Sequence, residues 1–145
     1  MPATTLRTLA AALCLTALSW SSSHAASLVG TSWTASNGNA VTFRADHVLE
    51  RIDGASYPRN RNTCKAGDDE AFTLQYGAIE QQQAVKYVSG WGQVPSMLRK
   101  LPAGNYMAAR LECYETVSLF LLVKGELWSI SGGEGEVFIE KLKQR

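Results

Sequence analysis

The chain has 145 residues, 46% hydrophobic and 19% charged, the make-up of a folded domain and not of a disordered tail. Lys and Arg number 14 against 13 Asp and Glu, and Arg7 is the only charge before Arg44, so the remainder carries 13 of each sign. That balance removes the electrostatic case for nucleic acid or for an anionic membrane surface as partner.

The first segment reads as an export signal. Arg7 opens an apolar run from Leu6 to Trp20, and Ser21, Ser22, Ser23, His24, Ala25 and Ala26 follow. A basic start, an apolar run and a small-residue site make the three-part pattern of a secretory signal peptide, here residues 1–25, with cleavage after Ala25 or Ala26. The run of about 14 residues is short of the roughly 20 that span a bilayer. Cys14 follows Leu13, where a lipoprotein signal needs a small residue, so it is read as part of the removed segment. Residues 26–145 then form one domain, expected in the periplasm or outside the cell, with no membrane span. The two remaining cysteines, Cys64 and Cys113, are expected to pair, because that compartment is oxidising.

Thr31–Ala35 and Ala40–Arg44 are β-prone runs joined by Ser36-Asn37-Gly38-Asn39, and Asn-Gly is the strongest short hairpin signal. Ala45-Asp46 turns the chain into a strand over His47–Asp53. Gly54 to Glu70, rich in Gly, Pro, Asn and charge, reads as a long loop pinned by Cys64. Phe72–Tyr76 reads as a strand ended by Gly77. Ala78–Val88 is ambiguous: Gln81, Gln82 and Gln83 favour a helix, while Val85, Tyr87 and Val88 favour a strand. Pro95 followed by Ser-Met-Leu-Arg-Lys-Leu predicts one short helix stopped before Pro102. In Asn105–Glu115, Met107, Ala109, Leu111 and Cys113 share one face, a period of two that predicts a half-buried strand. Val117–Val123 is almost continuously apolar, as in a strand covered on both faces. Lys124-Gly125 and Gly132-Gly133-Glu134-Gly135 turn the chain between strands at Glu126–Ile130 and Glu136–Leu142. The expectation is a mainly β domain, a single antiparallel meander of about seven or eight strands forming a small barrel or sandwich, with one short helix.

Leu28-Val29-Gly30-Thr31-Ser32-Trp33, Asn37-Gly38 and Val41-Thr42-Phe43-Arg44-Ala45-Asp46 resemble the opening of small secreted bacterial barrels of the lipocalin-like and META types. In those families a Gly-Thr-Trp element begins the first strand and its Trp plugs one end of the barrel. Ser32 is one residue more than the lipocalin pattern has, and the Cys-Asn element of META domains is absent. The resemblance covers Leu28 to Asp46 and implies a meandering barrel without naming a ligand.

No catalytic set emerges. His47 is the one histidine after the signal, without His-x-His or His-Glu-x-x-His, and it sits where a turn enters a strand. There is no Gly-x-Ser-x-Gly nucleophile elbow, and Ser89 and Ser131 merely flank glycines. Asp68-Asp69-Glu70 lacks the alternating ligands and sharp Gly of a calcium loop. Glu134 and Glu136 lie in a glycine turn with nothing to split their pKa values. The glycine-rich stretches lack the Gly-Lys-Ser/Thr of a phosphate loop. No enzyme activity, metal or cofactor is expected.

Two binding classes remain. The first is a protein-binding module of the cell envelope, such as an inhibitor or immunity protein acting on an envelope hydrolase. Tyr57, Arg59 and Arg61 on the cysteine-pinned loop, and Trp91 between Gly90 and Gly92, are its candidate partner-binding residues, since Tyr, Trp and Arg dominate binding hot spots. Trp91 is also suited to fold onto the barrel as a plug. The second class is a carrier for a small apolar ligand inside the barrel. In a barrel this short, Phe43, Leu49, Met107, Leu111, Phe120 and Trp128 are expected to pack into a solid interior, which favours the first class, whereas an open apolar cavity would favour the second.

Overall fold

Short alternating segments separated by tight turns give strands too small to bury their apolar faces singly, so they pair edge to edge and curl. The computed structural model describes residues 27–145, so the export-signal reading of residues 1–25 falls outside the described residues. The strands are β1 (Ser32–Thr34), β2 (Ala40–Phe43), β3 (Val48–Ile52), β4 (Ala55–Arg59), β5 (Lys65–Ala66), β6 (Asp69–Glu70), β7 (Phe72–Glu80), β8 (Asn105–Cys113), β9 (Thr116–Val123), β10 (Glu126–Gly133) and β11 (Glu136–Gln144). Two helices, α1 (Gln81–Ser89) and α2 (Ser96–Arg99), lie between β7 and β8. Nine strands form one antiparallel sheet in the order β4-β3-β2-β1-β11-β10-β9-β8-β7, nearly closed into a barrel, and β5 and β6 form a separate hairpin. Every neighbouring pair in the large sheet is consecutive in the chain except β1 and β11, where Trp33 lies opposite Gln144.

The mainly β meander holds, with more strands than about seven or eight. Gly54–Glu70 is not a plain loop: it contains β4 and the β5–β6 hairpin. Gly77 does not end β7, which pairs with β8 from Phe72 to Glu80. Ala78–Val88 resolves into both readings, strand to Glu80 and helix from Gln81. Glu80 and Gln83 form a reciprocal capping box at that junction, and Gln81 Nε2 donates to the carbonyls of Leu98 and Arg99, each at 3.2 Å. The glutamines therefore start one helix and tie it to the next, giving two helices where one was expected.

Two cores result, one on each face of the sheet. Inside the barrel, Trp33, Val41, Phe43, Val48, Leu111, Phe120, Leu127 and Leu142 pack together, with Phe43 edge-on to Phe120 at 5.0 Å between ring centres. On the outer face, Leu119, Leu121, Trp128 and Ile130 are roofed by Ala84 and Val88 of α1 and Leu98 of α2. This double burial is why β9 is apolar at nearly every position. Trp91 lies on this outer face, edge-on to Tyr87 at 5.0 Å. It fits because Gly132 of β10 has no side chain beneath its ring. Gly132→Ala should push a methyl group into the indole and cost roughly 1–3 kcal/mol, read as a lower midpoint in urea unfolding.

The seam lies between β4 and β7. Nine alternating strands leave these two edges running parallel, so they do not continue the antiparallel ladder. Other links hold the seam. Tyr76 Oη donates to Arg44 O at 2.6 Å, and a disulfide joins Cys64 in the crossing loop to Cys113 at the end of β8. Ala71 N donates to Cys64 O at 3.0 Å, and Tyr114 N to Ala71 O at 2.8 Å. Burial, followed by the charge of Asp46, pushes the Tyr76 phenol up to about 12. Its folded value lies above the ordinary 10.0, so the neutral form is the one folding favours. Tyr76 should contribute its full share to stability below pH 10 and lose it as pH rises toward 12. Thermal melts of the wild type and Tyr76→Phe across that window check this, since the variant lacks the titration and should show the shallower decline.

Candidate functional site

Period two sends alternate residues of each strand into the barrel, and their chemistry changes along its length. Toward the end where β2, β9 and β11 begin, the inward positions are Val41, Glu50, Ile52, Arg59, Ser118, Ser129, Ser131, Phe138 and Glu140. They surround an open cup of about 530 Å³ floored by Phe120, Leu111 and Leu142. The barrel is thus solid at one end and hollow at the other. Of the six residues expected to fill it, Phe43, Met107, Leu111 and Phe120 do so. Leu49 points outward and is 39% exposed, because register places it between the inward Val48 and Glu50. Trp128 belongs to the outer core, with Lys141 stacked over its ring at 5.4 Å.

Inside the cup Arg59 Nε donates to Glu50 Oε2 at 2.9 Å, and both side chains are largely shielded from water. The Arg59 guanidinium also lies 5.4 Å from the ring centre of Tyr57, which sits directly opposite Glu50 on β4. Ser118 faces Ser131 across β9 and β10, and Ser129 faces Glu140 across β10 and β11. Glu140 Oε2 accepts from Asn37 Nδ2 at 3.1 Å. Ile52, Tyr57 and Phe138 stand exposed at the mouth, Phe138 most of all at 57%.

Of the residues singled out from sequence, Tyr57 and Arg59 meet at this mouth. Arg61 does not join them: it is exposed, lies 3.4 Å from Glu70, and lines a separate cleft along the seam with His47, Asn60 and Phe72. Trp91 is on the opposite face of the sheet, half-buried against Tyr87. Cys64 and Cys113 form the disulfide at the seam. Glu50, Ser118, Ser129, Ser131, Phe138 and Glu140 were missed. For the serines the signal was a small polar residue recurring in otherwise apolar strands, as in Leu127-Trp128-Ser129-Ile130-Ser131.

The other polar groups are arranged for structure. His47 Nδ1 and Asp46 Oδ1 are hydrogen-bonded at 2.8 Å on the surface, which holds the Asp46 carboxyl below the usual carboxylate range. Tyr87 Oη donates to Glu112 Oε1 at 2.8 Å beside the Arg110 guanidinium. Burial, then the Glu112 hydrogen bond, pushes Tyr87 up to about 12. Among the described residues no three His, Cys, Asp or Glu side chains gather as a metal site, and no helix is long and apolar enough to cross a membrane. No family model, curated protein or solved structure matches the chain.

Proposed function

We propose that the protein is a non-enzymatic binding protein of the cell envelope that holds a small ligand in the open end of its barrel. The cup carries this reading. At about 530 Å³ it lies within the range of roughly 300–1,000 Å³ typical of small-ligand pockets, and it joins an apolar floor to a few convergent polar groups. The lipocalin-like opening at Leu28–Asp46 agrees with it. Location in the periplasm or outside the cell is supported by the disulfide and by the export pattern of residues 1–25. The purely apolar carrier gives way here to a carrier of something with polar groups, since Glu50, Arg59 and three serines face the space.

A second reading, the envelope inhibitor or immunity module, draws on the β3–β4 hairpin. There Leu49 is exposed on the outer face of the hairpin, directly opposite the exposed Pro58 of β4, an apolar spot that faces away from the cup. Native mass spectrometry of the protein isolated from its own envelope separates the two. A small-molecule adduct that disappears in Ser131→Phe, which fills the cup, is the expected result. A stoichiometric protein partner retained by Ser131→Phe and lost in Leu49→Asp would overturn the small-ligand reading in favour of the module.

A further inference from the structure

Resting on the small-ligand reading, we infer that the cup is built for a neutral saccharide. The first reason is charge. The carboxylates that face the cup already have partners: Glu50 accepts from Arg59 Nε at 2.9 Å, and Glu140 accepts from Asn37 Nδ2 at 3.1 Å. An anionic ligand would meet Glu50 and Glu140, and a cationic one would compete with Arg59 for Glu50. A neutral ligand disturbs neither.

The second reason is the set of hydrogen-bonding groups. Ser118, Ser129 and Ser131 present hydroxyls into the cup that have no protein partner among the described residues, whereas Thr116 Oγ1 is taken up by Cys113 O at 2.9 Å. Each free hydroxyl can donate one bond and accept two. An alkyl ligand would cover these groups and strip their water without return, which is costly. A polyol replaces that water group for group. The planar Glu50–Arg59 pair adds further acceptor and donor positions on the adjoining wall.

The third reason is the mouth. Phe138 and Tyr57 stand exposed where an entering ring would pass, at 57% and 43%. Sugar rings carry an apolar C–H face that an aromatic ring can cover while their hydroxyls point to the cup wall. Size agrees: about 530 Å³ lies in the roughly 300–1,000 Å³ range of small-ligand pockets and gives room for a short saccharide.

The test is titration of the full chain, followed by backbone-amide NMR, with tri-N-acetylchitotriose, maltotriose, sodium laurate and inorganic phosphate as separate probes. The proposal expects at least one trisaccharide to shift Ser118, Ser131 and Phe138, with an affinity indifferent to salt. It further expects about a tenfold loss of affinity in Phe138→Ala and in the Ser118→Ala/Ser131→Ala pair. The melting temperature reads folding separately, and the exposed position of Phe138 should leave it nearly unchanged. Laurate shifting the cup while neither sugar does overturns the saccharide assignment and leaves the small-ligand reading standing. Phosphate binding that weakens with salt overturns it in favour of an anion. No probe binding, together with no adduct in native mass spectrometry, overturns both.

Discussion

Replacing Cys64 and Cys113 together with alanine should lower stability by about 4 kcal/mol, the entropy that a closed loop of 49 positions removes from the unfolded chain. For a domain of this size that corresponds to a fall in Tm on the order of 15 °C. The double replacement avoids leaving one free thiol. Differential scanning calorimetry of the variant, and of the wild type with and without reductant, reads the effect. Reductant should bring the wild type to the variant's midpoint and leave the variant unmoved. A loss much below this would mean that the hydrogen bonds of Ala71 and Tyr114 hold the seam without the sulfurs.

Phe43→Ala should cost a similar amount, about 3–5 kcal/mol, for a different reason. Phe43 is fully buried and touches both Phe120 and Tyr76, the latter at 6.2 Å between ring centres. Removing it opens a void in the solid end of the barrel, beneath the cup and beside the Tyr76 hydrogen bond across the seam. Leu49→Ala, on the same sheet but facing water, should change the urea midpoint by less than about 1 kcal/mol. The contrast separates loss of packing from loss of β propensity.

The parts of this molecule that are local in sequence were legible there. Asn37-Gly38 does turn β1 into β2, with Gly38 at φ 91°, and the apolar run Val117–Val123 is buried on both faces as β9. The period of two in β8 does place Cys113 inward, where Cys64 meets it. Strand β4 was hidden because all but its last residue are exposed and it contains Pro58. A proline tells against a strand unless the strand lies at an edge, and only the assembled sheet reveals that it does. The cup was hidden for a related reason. Glu50 and Ser131 belong to opposite halves of the chain and share one space only because β1 pairs with β11. Ser118, Ser129 and Ser131 look like ordinary strand serines until their neighbours across the barrel are known. Trp91 and Arg61 stood out by residue type, which carries no information about the face of the sheet each would occupy.

The pairing of β1 with β11 also sets the order of events during synthesis. The earliest strand must wait for the latest before its free side is satisfied, so the circle cannot be completed while the ribosome is still adding residues to β11. Contacts so distant along the chain form slowly. A polypeptide built this way keeps an unpaired edge on its first strand until its last strand is free to join it. Closure of the sheet is thus the step that makes the two ends of the chain one structure.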